Sequence, residues 1–262
     1  MTFDDLSGTV AVITGGANGI GASAARRLTA AGGRVVVADV DADAGERLAA
    51  EIGGVFVSCD VARAEDSTAA VAAAVEHFGH LDIAFLNAGI ATTHLRLGQD
   101  FEVAAYRRAM GINLDGVVFG VNAVLPALRA RGGGAIVMTS SLAGLTGVAL
   151  DPIYCANKHA VVGLARSLGP ALAPDGIAVN ALCPGFADTA INDPVRDLIG
   201  SAGIPMMAAD DVADALVAIL CTPGSGQAWF VQPGRPTEPF AFSSIPGPRA
   251  ADGSRAGGPL PS

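Results

Sequence analysis

The stretch that decides the fold is residues 10–28, VAVITGGANGIGASAARRL. The apolar run VAVI predicts a buried strand, and the alanine-rich segment at the other end has helical spacing. Gly15, Gly19 and Gly21 fall between the two, where the missing side chains allow a tight turn and let backbone N–H groups approach a phosphate. An anion held there would also lie at the positive end of the helix dipole. The GxxxGxG spacing, which is neither GxGxxG nor a Walker loop, therefore predicts a pyrophosphate-binding turn.

The pattern of strand followed by helix continues along the chain. Short apolar runs predict six further strands, at residues 34–39, 54–59, 81–87, 134–140, 177–182 and 228–231. Helical spacing predicts helices at residues 20–31, 43–52, 65–78, 102–130, 153–172 and 208–221. Nearly continuous apolar runs are typical of parallel strands that helices cover on both faces. We therefore expect an α/β fold, a doubly wound sheet of about seven mostly parallel strands with helices on both faces.

The length of 262 residues favours a single domain, which we place at residues 1–232. The composition changes after that point, because residues 233–262 include 16 Gly, Pro or Ser. Such a segment buries too little apolar surface to offset the entropy lost on ordering. Residues 233–262 are therefore predicted to form a flexible Pro/Gly-rich tail, in which EPFAF (238–242) could dock on its own chain or on a neighbouring subunit.

The charge balance and the cysteine pattern exclude several functional classes. Sixteen Lys and Arg against 25 Asp and Glu give a net charge of -9, which disfavours binding to nucleic acid. The four cysteines form no CxxC pair, so neither a disulfide framework nor a metal site is expected. The N-terminus has no basic segment before an apolar run, and we expect no stretch with the roughly 18 apolar residues of a membrane span. These features predict a cytoplasmic protein with reduced thiols.

Polar residues follow the predicted strands at the edge where the glycine turn lies. Asp39 ends the second strand, where a carboxylate accepts hydrogen bonds from the ribose hydroxyls of an adenosine. A 2′-phosphate would meet like charge there, so NAD is preferred over NADP, although Asp39 could also be only a helix cap or loop carboxylate. CDV (59–61) and NAG (87–89) lie at the same edge, where Asp60 could hold the adenine amino group and Asn87 could brace the strand ends. Asn and Gly also simply form turns in such places.

Tyr154 and Lys158 are four residues apart in PIYCANKHA (152–160), which has helical spacing. That spacing places the two side chains on one helix face, with Cβ atoms about 5–6 Å apart. A free phenol has a pKa of about 10, and a nearby cation favours the phenolate and lowers this pKa. The pair is therefore suited to proton transfer, although a surface tyrosine packed on a lysine stem would have the same spacing.

Three polar residues elsewhere accompany this pair. Ser141 follows the fifth predicted strand, 13 residues before the tyrosine, and its hydroxyl could share a substrate oxygen. Asn113 falls inside the longest predicted helix, where asparagine is unfavourable unless its side chain has a partner. Thr189 follows a Pro-Gly break after the sixth strand, and its hydroxyl could meet a carboxamide. Each residue is weak evidence by itself, and the set favours an enzyme.

The sequence resembles the short-chain dehydrogenase/reductase family in its single-domain form, over roughly residues 7–231. The resemblance rests on a set of motifs in this order: TGGANGIG, Asp39, CDV, NAG, Asn113, the serine pair, YCANK and PGFADT. The resemblance implies a Rossmann-type domain with a substrate lid at about residues 186–207. It implies that Tyr154 is the general acid/base and that Ser141 orients the substrate oxygen. Lys158 would bind the nicotinamide ribose hydroxyls and lower the tyrosine pKa, and Asn113 would hold a water that connects the lysine to solvent.

The resemblance also implies the cofactor and the reaction, which is hydride transfer between NAD and a secondary alcohol or ketone. The residues implied to bind NAD, besides Tyr154 and Lys158, are Gly15, Asn18, Gly19, Ile20, Gly21, Asp39, Asp60, Val61, Asn87, Ala88, Gly89, Pro184, Gly185, Phe186 and Thr189. The partner is a small-molecule substrate, and the assembly a homo-oligomer, dimer or tetramer. Two positions depart from the common pattern: Asn157 stands where serine is frequent, and FVQPGRP (230–236) replaces a turn near a common subunit contact.

Apolar residues around the lid favour a substrate of mainly apolar character, such as a steroid-like or lipid-derived alcohol. These residues are Leu142, Leu145, Leu150, Phe186, Ile191, Ile199, Ile204, Met206 and Met207. Two alternatives stay open: a non-catalytic NAD(H)-binding redox sensor whose tail contacts a partner, and an epimerase or dehydratase on the same fold. His94 and His159 have no metal-ligand companions and are not expected to act directly.

Overall fold

The computed structural model describes residues 3, 5–92, 95, 97–99, 101–244, 246 and 248–252. A central sheet contains the strands β1 (Val10–Thr14), β2 (Arg34–Asp39), β3 (Val55–Ser58), β4 (Ile83–Leu86), β5 (Gly134–Thr139), β6 (Ile177–Pro184), β7 (Ala228–Val231) and β8 (Glu238–Pro239). The first seven strands are parallel to their neighbours, and β8 pairs antiparallel with β7. The predicted α/β sheet is confirmed, and β8 is a strand that the sequence did not indicate.

The helices are α1 (Gly19–Ala30), α2 (Ala42–Ile52), α3 (Ala64–Phe78), α4 (Val103–Met110), α5 (Gly116–Arg131), α6 (Pro152–Leu172), α7 (Arg196–Ser201) and α8 (Ala209–Cys221). Each predicted helix is present, with ends that agree to within one residue. The long predicted helix is divided into α4 and α5 by a π-helical turn, Gly111–Asp115. The segment after β6 adds a 3-10 stretch, Ala190–Val195, and α7, which the sequence pattern did not predict.

The strand order positions a crevice above the middle of the sheet. The order is β3-β2-β1-β4-β5-β6-β7-β8, so the chain leaves β1 toward one edge and returns at β4 on the other side of β1. In a parallel sheet, the loops at the carboxyl ends of the strands separate at such a reversal and leave an opening. The glycine turn after β1 and the loop after β4 therefore face each other across this opening.

Two layers of helices cover the apolar strands. On one face the core includes Ala70 of α3, Val124 of α5 and Val161 of α6, and on the other face Leu28 of α1 and Leu216 of α8. All five side chains are less than 2% exposed. Burial on both faces explains why the strands read as continuous apolar runs rather than as alternating ones.

The stretch from α4 to α5, Val103–Arg131, is long and apolar enough by length and composition to cross a membrane. We expected no such stretch from the sequence. Val117, Val121, Val124 and Leu128 of this helix are buried in the core against the sheet and its neighbouring helices, which accounts for the apolar composition.

The EPFAF segment lies against its own chain. The N–H of Phe240 donates to the carbonyl of Ala228 in β7 at 2.7 Å, and the guanidinium carbon of Arg166 in α6 lies 3.9 Å from the centre of the Phe242 ring. The two phenylalanine rings are edge to face, 5.0 Å apart. Of the remaining tail, residues 245, 247 and 253–262 lie outside the described residues.

Candidate active site

The glycine turn forms the floor of the crevice. Gly15 and Gly19 have φ values of 61° and 51°, in the left-handed region that favours glycine. A Cβ on Gly15 would lie 2.8 Å from the Cα of Ala88 in the loop after β4. A Cβ on Gly21 would overlap the carbonyl oxygen of Gly15, so Gly21 permits α1 to pack on the turn and does not line the crevice.

The turn holds the carboxylate of Asp39 in a fixed orientation at the end of β2. Its Oδ2 accepts from the N–H of Ala17 at 2.9 Å, and its Oδ1 accepts from the N–H of Asp41 at 3.0 Å. Asn18 donates through Nδ2 to Asp41 at 3.0 Å. Asp60, by contrast, is exposed, and its Oδ1 accepts from the N–H of Ala62 at 3.0 Å. Both carboxylates face the crevice, and Asp39 is the more rigidly held.

Asn87 and Asn113 fix the loop after β4 from two sides. Asn87 donates through Nδ2 to the carbonyl of Gly15 at 3.1 Å and accepts at Oδ1 from the hydroxyl of Thr139 at 3.0 Å. Asn113, in the π-helical turn, accepts from the N–H of Ile90 at 2.8 Å and donates to its carbonyl at 3.0 Å. Ile90 is thus the partner that the sequence argument requires for Asn113. Because both ends of this amide are used, its side chain positions the loop and does not line the crevice.

Tyr154 and Lys158 lie one turn apart at the start of α6. Lys158 is 2% exposed, and its Nζ donates to the carbonyl of Thr139 at 2.8 Å and lies 5.4 Å from the centre of the Tyr154 ring. Ser141, the second residue after β5, lies close to Tyr154 and acts to lower the pKa of its phenol. The hydroxyl of Ser141 also accepts from the N–H of Ala143 at 3.1 Å, which fixes its position. A phenol, an ammonium group and a hydroxyl therefore converge at the end of the crevice away from Asp39.

Burial dominates the pKa of both titratable groups in this cluster. It raises the pKa of Tyr154 to about 12, an effect that Ser141 opposes and the charge of Asp151 reinforces. It lowers the pKa of Lys158 to about 8. Desolvation of the phenolate therefore dominates the pKa of Tyr154 in this structure. That Lys158 lowers this pKa stays a prediction.

One cavity of about 540 Å³ joins the glycine turn to this cluster. Of the residues predicted from the sequence, those on its wall are Gly15, Asn18, Gly19, Ile20, Asp39, Asp60, Val61, Asn87, Ala88, Gly89, Ser141, Tyr154, Lys158, Pro184, Gly185, Phe186 and Thr189. Gly21 and Asn113 act from behind the wall, as described above. The same cavity therefore contains the acidic groups Asp39 and Asp60 and the phenol of Tyr154.

A model of the family described as short chain dehydrogenase matches residues 9–199. The chain belongs to this family of oxidoreductases. Among the curated short-chain dehydrogenases, 2,5-dichloro-2,5-cyclohexadiene-1,4-diol dehydrogenase of Sphingobium indicum is 41% identical over 190 residues, 71% of this chain and 76% of that protein. The 3-alpha-(or 20-beta)-hydroxysteroid dehydrogenase of Mycobacterium bovis is 38% identical over 196 residues, 73% of this chain and 74% of that protein.

Two solved structures have the same fold as this short-chain dehydrogenase. The 3-ketoacyl-(acyl-carrier-protein) reductase of Brucella melitensis, complexed with NADH, superposes with a TM-score of 0.79 and is 32% identical, covering 88% of this chain and 99% of that chain. The NADPH-dependent 3-quinuclidinone reductase of Rhodotorula rubra gives a TM-score of 0.78 at 25% identity, covering 87% and 91%. The Rossmann-type assignment is confirmed by these similarities.

The residues on the wall of this short-chain dehydrogenase cavity suit a nicotinamide dinucleotide. Gly15 and Gly19 allow a tight turn at the N-terminus of α1, because a side chain there would meet Ala88 or Thr189, and the helix N-terminus favours an anion such as a pyrophosphate. Asp39 offers a fixed acceptor at one end. At the other end, Thr139 is the one partner shown among the described residues for the buried ammonium of Lys158, a group with three N–H donors. Lys158 thus retains donors for the hydroxyls of a ribose.

The apolar residues that line the cavity of the short-chain dehydrogenase differ from the set predicted for the lid. Leu142, Leu150, Phe186 and Ile191 line the cavity, and so do Ile90, Ala190 and Val195, which the sequence analysis did not select. Leu145, Ile199, Ile204, Met206 and Met207 are not on its wall; Ile199 and Met207 are 3% exposed and buried against the body of the domain. Ala190, Ile191 and Val195 belong to the 3-10 stretch Ala190–Val195, which the sequence pattern did not predict.

His159 does not line the cavity. His159 is exposed on α6, where its Nδ1 lies 2.9 Å from the carbonyl of Cys155 and 3.5 Å from its Sγ, away from the cavity. His94 lies outside the described residues.

Proposed function

We propose that this short-chain dehydrogenase transfers a hydride between NAD and a secondary alcohol or ketone of mainly apolar character. The observation that carries the proposal is the placement of Ser141, Tyr154 and Lys158 in one cavity with a glycine turn and a fixed acidic group. A sensor would need the turn and the acidic group but no buried phenol. The expectations of a cytoplasmic location and a homo-oligomer remain predictions.

In the proposed reaction each side chain has a separate task. Lys158 and the glycine turn would hold a nicotinamide dinucleotide, which would supply the acceptor or donor of the hydride at the carbinol carbon. Ser141 orients the substrate oxygen, and Tyr154 takes the hydroxyl proton in oxidation or gives it in reduction. Lys158 holds the ribose hydroxyls, and its charge favours the phenolate while the proton is away from Tyr154. Asn113 supports these groups by holding the loop after β4 against the cavity.

The lining near Tyr154 supports an apolar substrate. Ile90, Leu142, Leu150, Phe186 and Val195 line the same cavity as Tyr154. An apolar wall selects for shape and for buried apolar surface, with the reacting hydroxyl as the polar contact. One curated relative described above is named for a cyclohexadienediol and the other for hydroxysteroids, which agrees with a cyclic or steroid-like alcohol.

A panel of alcohols tests the proposal directly. We expect cyclic secondary alcohols of increasing size to reduce NAD, measured as absorbance of the reduced cofactor, with kcat/KM rising as apolar surface is added, by about 0.8 kcal/mol per buried CH₂ at most. Primary alcohols of equal carbon number serve as controls. NADH binding without turnover of any ring alcohol or ketone would favour the redox sensor, and turnover without net cofactor consumption would favour the epimerase or dehydratase.

Cofactor preference gives a separate prediction, which concerns Asp39. Replacing Asp39 by Ala should weaken NAD binding about tenfold or more, because hydrogen bonds between a charged group and the ribose hydroxyls are lost. The preference for NAD over NADP should narrow at the same time, because the negative charge that opposes a 2′-phosphate is removed. Both effects are read from kcat/KM for each cofactor.

Asp41→Ala is the matched control for this measurement. It removes the same charge two residues away, where the side chain caps α2 through the N–H of Ala44 and does not line the cavity. We expect this variant to lose stability by about 1 kcal/mol and to keep most of the cofactor preference. An unchanged preference in Asp39→Ala would show that the Asp39 carboxylate does not face the ribose.

A further inference from the structure

A buried carboxylate that the reaction scheme does not use lies beside Tyr154. Asp151 is 7% exposed and precedes α6, whose first turn it caps: its Oδ1 accepts from the N–H of Tyr154 at 3.1 Å. The same oxygen accepts from the hydroxyl of Thr92 at 2.5 Å, and Oδ2 accepts from the N–H of Thr92 at 3.2 Å. Thr92 is fully buried. A buried carboxylate with three donors from two chain segments is a structural junction.

This junction connects two walls of the cavity. Thr92 follows Gly89, Ile90 and Ala91, which line the cavity on the β4 side. Asn113 holds the same loop at Ile90, so residues 89–92 are fixed at both ends by side chains from different helices. On the α6 side, the carboxylate of Asp151 accepts a hydrogen bond from the backbone N–H of Tyr154 itself. A shift of either wall would therefore change the distance between the phenol and a bound substrate.

We propose that Asp151 is a positioning residue, which holds the loop 89–92 against the first turn of α6 and so fixes Tyr154 relative to the substrate. The proposal rests on the proposed alcohol or ketone chemistry for its kinetic consequences. The junction itself is independent of that chemistry. Its effect on Tyr154 can be measured without turnover.

The charge of Asp151 also acts on the phenol. It reinforces the effect of burial in raising the pKa of Tyr154. The other charged or titratable groups of the cavity and its immediate wall, among the described residues, are Lys158 on the same helix, Cys183 from β6, Arg108 from α4, and Cys59, Asp39 and Asp60 from the ends of β2 and β3. Asp151 is the anion in direct contact with the turn that carries Tyr154. Its charge keeps the phenol protonated, which is the form that donates a proton to a ketone.

The first test is a titration of the phenol. The chain has two tyrosines, so in a Tyr106→Phe background the near-ultraviolet phenolate absorbance reports Tyr154. A rapid pH jump reads the absorbance before the protein unfolds, and circular dichroism verifies the fold. We expect Asp151→Asn in this background to titrate at lower pH than the background protein, and Thr92→Val to titrate close to it. An equal or higher midpoint in Asp151→Asn would overturn the electrostatic part of the proposal.

The second test separates positioning from charge. Thr92→Val keeps the volume of the side chain and the charge of Asp151 but removes the hydroxyl bond, so kcat/KM for the ring alcohol should fall about tenfold, with NADH affinity unchanged. Thr92→Ser restores the hydroxyl and should restore most of the activity. Loss of activity in both Thr92 variants, or in neither, would overturn positioning through this bond. If the chain oxidises no alcohol and reduces no ketone, the titration still decides whether Asp151 acts on Tyr154, so the two failures are distinguishable.

Discussion

Replacing Tyr154 by Phe is expected to lower kcat/KM for the alcohol by about 10³-fold or more, within the range for removing a general acid/base together with its hydrogen bonds. The phenyl ring fills the volume of the phenol, so the wall of the cavity is retained. Only the proton-transferring oxygen and its interaction with Ser141 are lost. NADH binding, measured by the fluorescence of the bound cofactor, should remain within about twofold of the original value because the glycine turn, Asp39 and Lys158 are unchanged.

Tyr106→Phe is the matched control for this substitution. Tyr106 lies in α4, where its ring centre is 5.6 Å from that of Phe101, and it does not line the cavity. The loss of a phenolic oxygen there should leave turnover close to that of the original protein. Retained activity in Tyr154→Phe would mean that another group supplies the proton, and the assignment of Tyr154 would then be wrong.

The fold could be predicted from the sequence because its signals are local. Continuous apolar runs identify parallel strands, and the predicted ends of strands and helices agree closely with the structure. Three glycines at the first strand–helix junction identify the crevice. β8 was missed because two residues carry no periodicity. Its pairing depends on the edge of β7, which the sequence does not show as exposed.

The site was predicted in its composition but not in its energetics. Tyr154, Lys158 and Ser141 belong to recognisable motifs, and the unfavourable helical position of Asn113 correctly indicated a partner. The pKa of the phenol depends on how completely the site is desolvated, and burial is a property of the folded chain. The Asp151–Thr92 junction joins residues 59 positions apart, which no motif connects. The lining residues Ala190, Ile191 and Val195 lie in a 3-10 stretch, whose side-chain period differs from that of an α-helix.

Lys158→Met is expected to abolish activity and to stabilise the protein near neutral pH. Burial lowers the pKa of Lys158 from its ordinary value of 10.5 to about 8, which corresponds to roughly 3 kcal/mol against the charged form in the folded state. Below pH 8 this cost is fully present in the original protein. Met removes it, at the loss of the hydrogen bond to the carbonyl of Thr139, about 1–2 kcal/mol. The net effect is a more stable variant by about 1–2 kcal/mol at pH 7.

The sign of this advantage should reverse as the pH rises. Between pH 8 and 10.5 the unfolded chain retains the lysine proton while the folded chain releases it, so the stability of the original protein increases relative to that of Lys158→Met. Denaturant titrations of both proteins at several pH values should show the difference moving by about 2 kcal/mol from pH 8 to pH 10. The thiol of Cys59, whose pKa burial raises to about 12, titrates in both proteins and cancels in the difference. The charge of Lys158 lowers the pKa of Cys183, so a Cys183→Ser background removes the contribution of that thiol from the comparison.

The lysine content of the chain allows this pH dependence of stability to be assigned to one side chain. The sequence contains 16 Lys and Arg, of which Lys158 is the sole lysine. An amine-selective reagent can therefore modify only Lys158 and the α-amino group, and the pH at which Lys158 becomes reactive measures its pKa directly. We expect that pH to lie near 8 and bound NADH to protect the amine. A variant that was less stable at every pH, with a difference independent of pH, would contradict the lowered pKa of Lys158, and an amine that NADH did not protect would contradict its cofactor-binding role.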